Sequence, residues 1–270
     1  MKKVSLNNFI NSVLFIYILS IYLLTYREGL NIISNTIAFL LVATIWLNFL
    51  ITKRKLAFNK ILLLFLLFIL FCIISVFFAI EQGRSVPMIK TLLLIYIVMI
   101  SLVNYIDNLE KIEKTINYFV YSGVITSFYI FAISDFSQIT RLGSELGNEN
   151  AIGMIIGLSA TFSFYCLLNK RKFIHIVFLL IMIPTLLLTG SRQALLFLFF
   201  NILIMMYLKY RGDIRKTILL IIVSVLLLIT VSYIIFNVPF FYQIIGERTE
   251  QMVNFISGEG KIDGSVKLRA

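Results

Sequence analysis

Leu188-Thr189-Gly190-Ser191-Arg192-Gln193-Ala194-Leu195 is a short polar knot between two apolar runs, 173–188 before it and 194–208 after it. Two such runs joined by so few polar residues read as a pair of helices that cross a membrane and turn back. Arg192 is then a cation at or near the membrane surface, in a turn too short to carry it far into water. A cation so placed is a candidate functional residue by default.

Working outward from this hairpin, the same pattern repeats. The chain has 270 residues, 60% hydrophobic and 14% charged, whereas a soluble domain is roughly half apolar and about a quarter charged. Apolar segments predict helices over 9–26, 32–51, 61–80, 88–106, 116–134, 151–168, 173–189, 193–208 and 217–236. The expectation is an all-α, polytopic membrane bundle of about nine transmembrane helices over 1–236, followed by an extracytoplasmic tail, 237–270. Strands of a transmembrane barrel would alternate in polarity, and these segments do not.

Charge sets the orientation, because Lys and Arg are retained on the cytoplasmic side. With the N-terminus inside, the inner segments hold Lys2, Lys3, Lys53, Arg54, Lys55, Lys60, Lys111, Lys114, Lys170, Arg171, Lys172, Lys209, Arg211, Arg215 and Lys216. Against them stand only Asp107, Glu110, Glu113 and Asp213. The outer segments are balanced, so the whole formal charge of +11 lies on one side. The basic clusters are therefore topological signals rather than a nucleic-acid surface. Attraction to lipid headgroups is secondary. The outer segments are 27–31, 81–87, 135–150, 190–192 and all that follows 236, which puts the Arg192 turn outside.

Other features are secondary. Cys72 and Cys166 lie inside apolar segments, where small packing residues are expected. Lys2 and Lys3 before a long apolar run, with no small-residue cleavage site after it, read as a first spanning helix. Pro184 is expected to kink the seventh helix. His175, beside Arg171 and Lys172, is expected to pack at the cytoplasmic interface. No Asp, Glu, Lys or Arg falls in the centre of a helix, and the helices look nearly bare of polar residues that could line a path. Both observations count against an ion-coupled transporter.

The outer loop 135–150, DFSQITRLGSELGNEN, carries Arg141, whose planar fork of donors suits phosphate. Asn150 is the expected N-cap of the sixth helix. In the tail, Phe240, Phe241, Ile244, Ile245, Met252, Phe255 and Ile256 recur at helical spacing, which predicts a helix along the membrane surface. Arg248 and Arg269 flank or follow it. Outer-face guanidinium groups at Arg141, Arg192, Arg248 and Arg269 suit a lipid-linked phosphate or pyrophosphate.

Thr189-Gly190-Ser191-Arg192-Gln193-Ala194 resembles the T-G-S-R-G-A stretch of the O-antigen ligase and O-antigen polymerase superfamily, with Gln193 where that family usually has glycine. Arg141 followed by Gly147-Asn148-Glu149-Asn150-Ala151 is similar to the family's preceding outer loop. Asp263-Gly264-Ser265-Val266-Lys267-Leu268-Arg269 is similar to the start of its large outer loop. The resemblance covers the second half of the chain; the first five helices match only in hydropathy.

The resemblance implies an integral-membrane glycosyltransferase acting on glycans carried by undecaprenyl pyrophosphate at the outer face of a bacterial cytoplasmic membrane. The acceptor would be a hydroxyl of another glycan or of a lipid. Arg192, Arg269 and Arg141 would bind the pyrophosphate, with Gly190, Ser191, Asn150 and Arg248 in support. With pyrophosphate as leaving group and arginines to neutralise it, neither metal nor cofactor is expected, and nucleic acid is not an expected partner. No residue stands out as the catalytic base. The family's base is expected further along the large outer loop, so the chain reads as an N-terminal fragment. A Lys-, Ile- and Asn-rich composition favours polymerisation of a capsule-type polymer over ligation to lipopolysaccharide. The alternatives are a transporter or flippase of lipid-linked oligosaccharide and a non-catalytic membrane subunit.

Overall fold

A computed structural model describes residues 2–27, 29–53, 56–78, 82–134, 146–170 and 172–213, with 215, 218, 222, 229, 233, 236–239, 242, 246 and 250 as further positions. The described residues form eight α-helices and no strand: α1 (Lys2–Leu24), α2 (Asn31–Thr52), α3 (Lys60–Val76), α4 (Gln82–Tyr105), α5 (Leu109–Ile133), α6 (Glu149–Lys170), α7 (Ile174–Leu188) and α8 (Arg192–Tyr210). Among the described residues, six segments are long and apolar enough to cross a membrane: Leu6–Leu24, Asn31–Thr52, Ser85–Tyr105, Leu109–Ile133, Glu149–Asn169 and Arg192–Tyr210. α3 and α7 are as apolar but shorter, at 17 and 15 residues. This is consistent with a multi-pass helical membrane bundle. Most of the expected ninth helix, 217–236, and most of the tail lie outside the described residues.

Several helices begin before their apolar runs. α5 starts at Leu109 rather than 116 because Asn108 caps it: its Oδ1 accepts from the Lys111 amide at 2.9 Å. Lys114 then pairs with Glu110 at 2.7 Å, one turn apart, and carries the helix through its charged segment. Lys111 reaches back to Asp107 at 2.9 Å, across the cap. α6 starts at Glu149. Its N-cap is Asn148, which accepts from the Ala151 amide at 3.0 Å, and not the expected Asn150, which lies exposed in the first turn. The reason is Gly147, whose φ of +95° reverses the chain one residue ahead of Asn148. α7 continues through Pro184. His175, at the start of α7, is buried, with Ser163 Oγ 3.2 Å from its Nδ1 and Phe178 edge-on to its ring.

The chain divides into two compact units. The first comprises residues 1–21 and 29–118. In it α4 packs on α3 through Leu62, Ile69 and Tyr96, and on α2 through a bond from Trp46 Nε1 to Ser101 Oγ at 2.9 Å. Tyr105 donates to Asn11 Oδ1 at 2.9 Å, and Asn104 bonds both backbone groups of Ala57. Large apolar side chains such as Phe39, Leu50, Leu64 and Phe71 stand exposed. On a water-soluble protein that surface would drive association; in lipid it is at home.

The second unit comprises residues 22–28 and 119–270. Its core is Val124, Ile130, Leu146, Ile152, Ile156, Ala160, Met182, Leu186, Ala194 and Leu198, with α6 packed against both α7 and α8. Lipid chains are as apolar as leucine, so contact between such helices depends on close fit and polar links. α6 supplies both. Gly157 approaches the Ala194 backbone, and Ser159 donates to the Phe119 carbonyl at 2.7 Å while accepting from Tyr22 Oη at 2.7 Å.

Candidate functional site

The Thr189–Arg192 turn belongs to the second unit, and its geometry follows from how two helices end and begin. α7 runs out at Leu188. The Thr189 hydroxyl donates back to the Leu186 carbonyl at 2.7 Å, and the Gly190 amide to Leu187 at 3.0 Å. Gly190 takes φ +64°, the left-handed conformation that lets the chain reverse here. Ser191 is extended, at φ −80° and ψ 93°, and its carbonyl accepts the first bond of α8 from Leu195 at 3.1 Å. Arg192 opens α8 and is partly buried.

Thr189 and Ser191 are fully buried against the N-terminal end of α6. The contact is made at Gly153: a Cβ there would lie 2.6 Å from Ser191 Cβ and 2.9 Å from Thr189 Oγ1. Only a residue without a side chain lets the turn sit so close. The Ser191 hydroxyl does not cap α8 and has no hydrogen-bond partner among the described residues. A buried hydroxyl left in that state is costly, of order 1–3 kcal/mol.

Gly190, Ser191 and Arg192 therefore stand beside the first turns of α6, whose opening turn also holds Asn150. Arg141, Arg248 and Arg269 lie outside the described residues. Among the described residues, no group of three or more His, Cys, Asp or Glu side chains is placed to hold a metal ion.

Two features were missed in the sequence. The first is Arg27, directly after α1. Its Nη2 donates to Tyr129 Oη at 2.9 Å, and its guanidinium lies 5.3 Å from the centre of the Tyr129 ring. Arg27 sits in a short connecting segment, in no motif; its expected place on the outer side was the available signal. The second is a set of hydroxyls buried in the second unit: Ser122, Thr126, Ser127, Ser159, Thr161, Ser163 and Thr185. The expectation that the helices are nearly bare of polar residues is corrected by these. Hydroxyls enter an apolar helix at small cost by bonding the preceding turn, as Thr161 does to Gly157 at 2.9 Å and Thr185 to Ile181 at 2.9 Å. Their four-residue spacing, 122 and 126 in α5 and 159 and 163 in α6, was a readable sign of one polar face.

No protein-family model, curated protein or solved structure matches the chain.

Proposed function

We propose that the chain forms a nine-span membrane bundle, N-terminus cytoplasmic and tail extracytoplasmic, of an enzyme that polymerises or ligates glycans carried on undecaprenyl pyrophosphate. The site would face outward at the bacterial cytoplasmic membrane. The observation that carries this reading is the Thr189-Gly190-Ser191-Arg192 turn, held against α6 through Gly153 with its serine hydroxyl buried and unbonded. The turn fixes the backbone at the start of α8, where Arg192 stands, and a cation on a fixed backbone suits a fixed anion. The charge asymmetry of the connecting segments supports the orientation.

In the reaction, an acceptor hydroxyl oxygen bonds to the anomeric carbon of the donor sugar. The bond from that carbon to the pyrophosphate oxygen breaks, the electron pair leaves on the pyrophosphate, and the hydroxyl proton passes to a base. Arg192 would neutralise charge developing on the leaving group, where a preorganised donor has most effect. Arg141 and Arg269 are proposed alongside it on the resemblance alone, with Asn150 and Arg248 in support.

The test is Arg192→Ala in cells that depend on the protein for surface polymer. Long chains should disappear while single lipid-linked units collect at the outer face. Normal chain lengths would sink the assignment. A specific observation favours the flippase as second reading: Ser122, Thr126 and Ser127 are fully buried with hydroxyls that have no partner, the kind of surface a polar cargo could use. Units collecting at the inner face of the mutant would select it.

A further inference from the structure

Arg27 is the cation of the second unit that no motif explains. Among the described residues it is held by Tyr129. Tyr129, near the end of α5, takes one guanidinium nitrogen as a hydrogen-bond donor and lies within cation–π distance of the planar group. The Nε is buried and has no acceptor among the described residues. An arginine that merely reached for the water at the membrane edge would keep Nε hydrated. Here the guanidinium is oriented by the tyrosine, with a donor left unused.

The backbone ties Arg27 to the Arg192 turn through α6. Gly147, two residues ahead of α6, is in contact with the carbonyl of Tyr26; a Cβ at Gly147 would lie 2.1 Å from that oxygen. Gly153, on the second turn of the same helix, holds Ser191 and Thr189. From Glu149 to Gly153 is about 6 Å along a helix axis. Arg27 and Arg192 thus attach to the same end of α6, from the ends of different helices. α8 packs on α6 and begins at this end as well, so two helix N-termini, each with its partial positive charge, add to the two guanidinium groups. Glu149 is the carboxylate of α6's first turn, and Glu28 directly follows Arg27 in the sequence.

We propose that Arg27, positioned by Tyr129, is a second ligand of the pyrophosphate that Arg192 binds, so that the two arginines grip the diphosphate from either side of the α6 N-terminus. This rests on the proposed function above. It assigns the first outer loop, which the resemblance leaves empty, to substrate recognition. It also gives a reason for selectivity: two separated phosphate groups engage both arginines, whereas one phosphate engages one.

The test is binding of farnesyl pyrophosphate, farnesyl monophosphate and inorganic pyrophosphate to the purified protein in phosphatidylcholine nanodiscs. Wild type is compared with Arg27→Ala, Arg27→Lys, Tyr129→Phe and Arg192→Ala, with thermal unfolding as the control for folding. Arg27→Ala should weaken farnesyl pyrophosphate about tenfold or more, as expected for loss of a charge-assisted contact. It should also lose the preference for pyrophosphate over monophosphate, which a merely structural role would not change. Arg27→Lys should recover only part of the affinity, having charge without the planar fork. Tyr129→Phe keeps the ring, and should show a smaller loss in the same direction; it carries the test if Arg27→Ala does not fold. Unchanged binding in Arg27→Ala and Tyr129→Phe, with loss in Arg192→Ala, overturns this inference and leaves the proposed function standing. No binding of farnesyl pyrophosphate by wild type overturns both. Equal loss of phosphatidylglycerol association in Arg27→Ala, measured in mixed nanodiscs, would make Arg27 a lipid anchor and overturn the inference. Binding of inorganic pyrophosphate as tight as the prenyl form would locate recognition in the diphosphate alone, and supports it.

Discussion

The two units solve the same problem, holding apolar helices together in an apolar medium, in different ways. In the first, α3 and α4 meet through large side chains, Leu62, Ile69 and Tyr96, and long-armed polar links such as Trp46 to Ser101 and Tyr105 to Asn11 tie the helices. In the second, α6 meets its neighbours through Gly153, Gly157 and Ser159, and the links are short hydroxyls. Half of α6's spanning window is buried, against 17% for that of α4. Large side chains tolerate adjustment at a contact, because rotamers can shift. Backbone held against backbone cannot adjust in that way, so the second packing fixes position as well as proximity. The candidate site lies in the unit whose contacts work by position.

That contrast can be broken, and the strongest attempt is Gly153→Val. The new side chain must displace the Ser191 turn, and overpacking of this kind typically costs about 1–3 kcal/mol. We expect a loss near the top of that range in reversible unfolding from detergent micelles, together with loss of prenyl pyrophosphate binding. A value near zero would show that the turn is not fixed by α6. Tyr22→Phe comes next. It removes the bond to Ser159 and leaves that serine its bond to Phe119, so unfolding should ease by about 1 kcal/mol or less. A much larger loss would mean that the hydroxyl links form one cooperative network. The smallest effect belongs to the first unit. Lys114→Ala removes an exposed ion pair with Glu110 and should leave unfolding unchanged within error. A measurable loss there would contradict the view that positional packing is confined to the second unit.

Much of this organisation was readable in the residues. Continuous apolar runs specify helices and a lipid-facing surface, because nothing else can satisfy backbone groups in hydrocarbon. The Thr189–Arg192 reversal was legible because glycine and serine interrupt two such runs. Helix starts were less so. Hydropathy marks where a helix is apolar, not where it begins, and Asn108 with the Glu110–Lys114 pair moved the start of α5 by a full two turns. The cap of α6 was misplaced by two residues because two asparagines compete there and only the positive φ of Gly147 decides between them. Arg27 was invisible as a site residue for a different reason. Its significance lies in what it touches, Tyr129, about a hundred positions away along the chain. Arg141, Arg248 and Arg269 rest on pattern alone.

The length of α7 has a consequence for the lipid. Fifteen residues rise about 22 Å, while the hydrocarbon layer is about 30 Å thick. A bilayer crossed by so short a helix must thin around it, or leave its turn below the level of the surrounding headgroups. If α7 spans in the orientation proposed above, the Arg192 turn would open into a dimple in the outer leaflet. A long-chain carrier, whose tail tolerates disordered and thinned lipid, would be drawn into such a depression while ordinary phospholipids are strained by it. The membrane itself would become a filter for the substrate, set by a helix about five residues too short.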